Sequence, residues 1–195
     1  MNSINLIFAT GNTHKAKEIA QILNFDWLHI KTLRDIGYHD EIEETGQTLE
    51  ENAKLKTKTI YDIYKSNIFS EDTGLEVQAL NMEPGVFTAR YAGAAKDADA
   101  NMNKLLSALE DKKNRTARFR TVLSLVWDNE YYLFEGIANG NIARQKHGKG
   151  GFGYDPIFIP EGYDKTFAEL SADIKNSISH RGRAVAQLKD FLEKN

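Results

Sequence analysis

The spacing of hydrophobic positions changes along the chain, and each change marks an element. Ile4, Leu6, Ile7, Phe8 and Ala9 form a short apolar run that stops at Thr10-Gly11-Asn12. That pattern predicts a buried first strand handing over to a turn. Ile19, Ile22 and Leu23 then recur at helical spacing, which predicts a helix over about 14–23. Residues 27–33 read as a second strand. Thr48-Leu49-Glu50-Glu51 matches a capping box, in which Thr and Glu satisfy each other's free N–H groups. It opens a long helix expected to end near Ser66. Residues 67–70 and 74–80 read as two extended pieces. Pro84-Gly85 marks a turn, and Asp97 is placed to cap a helix ending near Glu110. Residues 118–127 and 131–142 form a hairpin candidate around Asp128-Asn129-Glu130. Lys149-Gly150-Gly151-Phe152-Gly153 predicts a loop and Ile157–Ile159 a short strand. Ser179 is placed to cap a last helix carrying Val185, Leu188 and Leu192 on one side.

Helices and strands alternate in the first half, and an antiparallel hairpin sits in the second. The expectation is an α/β fold with a mixed sheet, in a single domain over 1–195. At 41% hydrophobic, the 195 residues can bury a sizeable core. The formal net charge of −3 argues against a nucleic-acid partner, which calls for a basic excess. The absence of cysteine excludes disulfides, thiolate chemistry and Cys-ligated zinc. The apolar stretches Ile4–Ala9 and Val122–Trp127 are far too short to span a membrane, and no signal-peptide pattern is visible. A cytoplasmic protein without a membrane partner is expected.

Five segments carry candidate chemistry. Thr10-Gly11-Asn12-Thr13-His14-Lys15 lies where a strand meets a helix. Backbone N–H groups and the helix dipole favour an anion there, although a plain capped turn fits too. It lacks the Gly-Lys-Ser/Thr ending of a Walker loop. Asp40-Glu41-Ile42-Glu43-Glu44, with Glu51 beyond it, is either a solvated acidic loop or a source of oxygen ligands for Mg²⁺. Glu71-Asp72-Thr73-Gly74 follows a buried strand, where a carboxylate can hold a metal or activate water; Asp-Thr-Gly is also good turn chemistry. Gly148-Lys149-Gly150-Gly151-Phe152-Gly153-Tyr154-Asp155-Pro156 combines close backbone approach with planar side chains that could stack a base. Lys175, His180 and Arg181 gather near a helix start, where positive charge opposes the dipole and a bound anion or base would account for it.

Taken in order, Thr10-Gly11-Asn12-x-x-Lys15, Glu43-Glu44-Thr45-Gly46, Glu51-Asn52-Ala53, Glu71-Asp72-Thr73-Gly74-Leu75, Pro84-Gly85 with Ala89-Arg90-Tyr91, Gly150 to Pro156 and Ser179-His180-Arg181-Gly182 give a pattern over nearly the whole chain. It resembles the inosine triphosphate pyrophosphatases, also called non-canonical purine NTP or dITP/XTP pyrophosphatases. The resemblance implies an elongated α/β fold of two lobes with a central substrate cleft, and a homodimer. It implies cleavage of the α–β phosphoanhydride of a purine nucleoside triphosphate with Mg²⁺. Carried over residue by residue, Asp72 matches the catalytic aspartate and, with Glu44, the metal position. Thr10, Gly11, Asn12, Thr13, His14 and Lys15 match the phosphate-binding turn. Thr73, Phe152, Gly153, Tyr154, Asp155, Lys175, His180 and Arg181 match substrate-contacting positions, and Lys56 is a further possible phosphate contact. Two departures stand out: Glu71 precedes Asp72 where many members carry a second aspartate, and Thr73 replaces a common serine. Two other readings stand against it: the first shares the strand–turn–helix start but not the Phe152–Asp155 and Ser179–Gly182 segments, and the second has no need of the Glu44 and Asp72 pair. One is a Maf-type pyrophosphatase acting on pyrimidine or modified nucleotides. The other is a nucleotide-binding module without turnover.

Overall fold

The computed structural model describes residues 3–195. Its strands are β1 (Ile4–Phe8), β2 (Leu28–Thr32), β3 (Ile68–Val77), β4 (Glu83–Gly85), β5 (Thr116–Trp127), β6 (Glu130–Ile142) and β7 (Phe158–Pro160). They form one sheet in the order β2-β1-β3-β5-β6-β7, with β4 paired to β3. β1 runs parallel to β2, with Ile4 opposite Leu28, and parallel to β3, with Phe8 opposite Phe69. β4 and β7 are antiparallel to their neighbours, so the sheet is mixed as expected. The helices are α1 (Thr13–Ile22), α2 (Leu49–Tyr64), α3 (Ala98–Ala108), α4 (Ala172–Ile178) and α5 (His180–Leu192). No helix among the described residues is long and apolar enough to cross a membrane.

The chain divides into two compact units. The first takes the chain up to Asp72, Thr121–Gly136 and Arg181–Asn195. One of its cores joins Leu6, Phe8, Ile19, Phe69, Leu123, Leu125, Val185 and Leu188, and the Phe8 and Phe69 rings stack 4.4 Å apart. A second gathers Ile7, Ala9, Ile60 and Ile68. Each fully buried aliphatic or aromatic side chain contributes about 1.5–3 kcal/mol. The second unit takes Thr73–Arg120 and Ile137–His180, around Leu75, Leu105, Phe119, Ile157, Phe158 and Phe167.

Three local outcomes differ from the pattern reading. The two extended pieces at 67–70 and 74–80 are one ten-residue strand, β3, and Glu71-Asp72-Thr73 lies inside it, not in a turn. Turn propensity loses because the polar side chains find partners across the strand, as set out below. The capping box is only half realised. Thr48 accepts from the Glu51 N–H at 3.1 Å, but the Glu51 carboxylate takes the Gln47 N–H at 2.6 Å, one residue before the cap. The third is α4, a seven-residue helix capped by Ser171, which the hydrophobic pattern does not announce. The hairpin between β5 and β6 turns on Asp128 and Asn129, both at positive φ (50° and 69°). That is the two-residue geometry matched to strand twist, and Asp and Asn tolerate it.

α2 shows how the site is anchored. Leu49, Asn52, Ala53, Lys56, Thr57 and Ile60 are buried, at the spacing of one helix face. Half of that stripe is polar. Thr57 donates to the Ser70 hydroxyl or the Ser124 carbonyl, at 2.9 and 3.0 Å, and Ser70 donates to the Ala53 carbonyl at 2.6 Å. These bonds tie α2 to β3 and β5 directly behind Asp72.

Candidate active site

Strand alternation sorts the β3 carboxylates. Side chains of successive strand residues point to opposite faces. Ile68 packs with Ile60 of α2, whereas Phe69 stacks on Phe8 in the other core. Ser70 bonds to Thr57 of α2. Glu71 therefore faces α1 and α5, and Asp72 faces α2.

On the α2 side, the Lys56 ammonium donates to Asp72 Oδ1 at 3.1 Å and also pairs with Glu44. One ammonium thus bridges the two carboxylates that the resemblance assigns to a metal. Asp72 is 7% exposed. Its Oδ2 is buried and accepts no hydrogen bond among the described residues. Burial pushes the Asp72 carboxyl above its ordinary value; Lys56 and Lys15 pull it down, and the Glu44 charge adds to the rise. Burial also acts against the Lys56 ammonium, yet Asp72 and Glu44 together hold it above the usual lysine value. Both groups shift upward, although an isolated ion pair would move them apart. The reason is that burial of Asp72 outweighs the pull of Lys56 and Lys15, with the Glu44 charge adding to it, while two carboxylates support the one Lys56 ammonium. Such a pair, with an unpartnered buried oxygen, fits a hard oxygen-seeking cation that takes one or two carboxylates and completes its shell with water and phosphate. Among the described residues, no group of three or more His, Asp or Glu side chains is arranged to hold a metal.

On the opposite face of β3, Glu71 is buried and meets Arg181 twice, Nε to Oε2 at 2.8 Å and Nη2 to Oε1 at 2.6 Å. Arg181 also donates to Glu18 of α1 at 2.6 Å, and Lys15 stands 3.3 Å from Glu71. Burial lowers the Lys15 ammonium below the ordinary lysine value, with Glu71 opposing. The arginine at the start of α5 is thus answered by two carboxylates of its own chain, and no ligand is needed to explain its position. Glu71 points away from Lys56, so it serves Arg181 and Lys15 and not the Glu44–Asp72 pair.

The phosphate-turn candidates sit together at the head of α1, and Thr10 to His14 are mostly solvent-facing. Asn12 caps the helix: its side chain accepts from the His14 and Lys15 N–H groups at 3.0 and 3.1 Å, and its own N–H goes to the Thr10 hydroxyl. Two of the amides expected to meet an anion are therefore already used.

In the second unit, Asp155 organises the glycine loop. Its Oδ2 accepts from the Phe152 N–H at 2.7 Å and from Lys175 at 2.6 Å. Gly151 lies at φ +70°, and a Cβ there would collide with the Asp155 carboxylate. The Lys175 ammonium lies 4.8 Å from the centre of the Phe152 ring. Phe152 and Gly153 are half-buried and reachable, whereas Tyr154 is 3% exposed and donates to the Thr88 carbonyl at 2.9 Å. Tyr154 is a core residue, not an open stacking face. His180 is buried and stacks on Phe119 at 4.5 Å. Thr73, the first residue of this unit, is half-buried.

Pattern reading missed Glu18 and Phe119, gave Asn52 no role beyond its place in the Glu51-Asn52-Ala53 motif, and named Lys56 only as a phosphate contact. The signal for Asn52 and Lys56 was available: polar residues four apart on the buried stripe of an amphipathic helix. Glu18 and Phe119 gave none, because their partners are distant in sequence.

Comparison with known proteins shows which family the chain resembles. The sequence profile described as the Ham1 family matches residues 6–191. The dITP/XTP pyrophosphatase of Flavobacterium johnsoniae is 52% identical, over 97% of this chain and 98% of the relative. That of Bacillus subtilis is 45% identical, over 96% of both. Among solved structures, the Staphylococcus aureus Ham1 protein matches with a TM-score of 0.88 at 41% identity, covering 97% of this chain and 98% of that one. A HAM1 protein from Coxiella burnetii matches with a TM-score of 0.90 at 36% identity, over 98% and 100%.

Proposed function

Since the chain belongs to the Ham1 family, we propose that it hydrolyses ITP, dITP and XTP to the nucleoside monophosphate and pyrophosphate. The observation that carries the proposal is the half-buried Glu44 and the buried Asp72 sharing one ammonium, with Asp72 Oδ2 unpartnered among the described residues. Glu44 and Asp72 would hold Mg²⁺, which when bound neutralises charge developing on the phosphates. Water adds its oxygen to the α-phosphorus, the bond to the bridging oxygen of the β-phosphate breaks, and one proton passes to Asp72 Oδ2. A carboxyl raised by burial suits that task, because a base is most effective when its pKa approaches the working pH. Lys15, whose charge is disfavoured by burial, gains from a phosphate anion beside it. Lys56 and the Gly11 and Thr13 amides complete the donors for the triphosphate.

Phe152 supplies the stacking face for the purine, with Gly153 beside it and Thr73 offering a hydroxyl. Asp155 and Lys175 hold the Phe152 loop. His180 would donate to the 6-keto edge, while Arg181 holds Glu71 and Glu18. Adenine presents a 6-amino donor there, and a site that pairs its own donors with a keto oxygen rejects it strongly. The same kinship supports a homodimer, for which the exposed Met82 and Phe87 offer apolar surface. It also supports action as one domain and a cytoplasmic location.

The test is product analysis. With dITP and Mg²⁺, the expected products are dIMP and pyrophosphate in equal amounts, with turnover abolished by EDTA. Release of dIDP and inorganic phosphate would overturn the assignment of the bond cleaved. Undiminished turnover in EDTA would overturn the metal.

A further inference from the structure

Asn52 is buried in the first turns of α2, one helical turn before Lys56 and on the same face. Its Oδ1 accepts the Gly46 N–H at 2.8 Å. Because a backbone N–H can only donate, the bond fixes the amide: oxygen towards Gly46, nitrogen the other way. The nitrogen, Nδ2, is buried and makes no hydrogen bond among the described residues. A buried donor without an acceptor costs stability, and a leucine or serine would avoid that cost. The fold therefore keeps an imperfectly satisfied residue here for the sake of the bond it does make.

That bond seats the loop bearing Glu44. Gly46 is pressed onto the helix so closely that a Cβ would stand 2.6 Å from Asn52 Oδ1 and 2.7 Å from Glu51 Cβ. Two residues earlier, Glu44 reaches Lys56. Asn52 and Lys56 thus grip one loop at two points from neighbouring turns of one helix. Lys56 acts through charge and holds only the carboxylate; Asn52 holds the backbone, and continues to do so if Lys56 turns to another anion.

We propose that Asn52 is a positioning residue for the metal site, fixing the Thr45-Gly46 backbone so that Glu44 is presented beside Asp72. The inference rests on the reading of Glu44 and Asp72 as the cation's ligands. Its test is direct binding of Mn²⁺ to the intact protein, followed by the resonance signal of the free ion, with no substrate present. Asn52→Ala is expected to weaken Mn²⁺ binding about tenfold. Gly46→Ala, which pushes the loop off an intact Asn52, is expected to weaken it by a similar factor and serves if Asn52→Ala does not fold. Thr57→Val, which breaks the neighbouring buried bonds to Ser70 and Ser124, is expected to lower the melting temperature and leave Mn²⁺ affinity unchanged. Wild-type affinity in either the Asn52 or the Gly46 variant overturns the proposal, as does an equal loss in Thr57→Val, which would make the effect one of general stability. A wild-type protein that takes up no Mn²⁺ overturns the underlying metal reading instead.

Discussion

Asp72→Asn is expected to lower kcat for dITP by about three orders of magnitude or more, without loss of fold. The size follows from removing a group that contributes both charge at the cation and the proton acceptor, roughly the scale of deleting one preorganised electrostatic group together with a general base. The retained fold follows from the environment of Asp72. Burial raises its carboxyl in the native state, against the pull of Lys56 and Lys15. The unfolded chain has an ordinary aspartate, so the native state binds the proton more tightly. Ionisation of Asp72 therefore costs the native state stability at neutral pH, a cost that disappears as pH falls through the raised value. Asparagine carries no such cost, and Lys56 keeps Glu44 as a partner. The variant is expected to melt at or above the wild-type temperature, measured by circular dichroism. Near-normal pyrophosphate release, or a collapse of stability, would contradict the role given to Asp72.

Glu71→Gln is expected to be the most destabilising conservative change in the site region. Glu71 is buried, accepts two bonds from Arg181 and stands near Lys15. Glutamine keeps the volume and removes the charge that faces the buried Arg181 guanidinium and the Lys15 ammonium. Removing one partner of a buried ion pair costs about 3–5 kcal/mol. For a chain of this size that corresponds to a fall of about 10 °C in the melting temperature. Urea unfolding followed by tryptophan fluorescence measures it directly. A loss below about 1 kcal/mol would show that the Arg181 cluster is solvated and weak.

Legibility followed the reach of each interaction along the chain. β1, α1, α2 and the β5–β6 hairpin were readable because their signals are local: an apolar run, a helical period, a cap residue, two turn residues. The continuous strand through Glu71-Asp72-Thr73 is not legible, and a turn fits the sequence as well, because turn chemistry is local whereas the partners that override it lie 110 residues away, for Glu71 and Arg181, and 16 away, for Asp72 and Lys56. The half-realised capping box is a smaller case: the motif was there, and the Glu51 carboxylate took the neighbouring amide. Among the candidate site residues, Glu44 and Asp72 are brought together as the motifs implied, and Phe152, Asp155 and Lys175 likewise. Arg181 and Tyr154 were read as open contacts, but the fold buries both. Residue type indicates what a side chain can bond, and only packing decides which partner reaches it first.

The most direct measurement of the central claim is pyrophosphate release with Mg²⁺ from ITP, dITP, XTP, ATP, GTP and dTTP in parallel, compared as kcat/KM. The expected result is rapid release from the first three and a rate at least about a hundredfold lower from ATP, whose 6-amino group leaves the site's donors unpaired. Selective turnover of dTTP would contradict the account in favour of a Maf-type pyrophosphatase, and binding without any release would leave a nucleotide-binding module in its place.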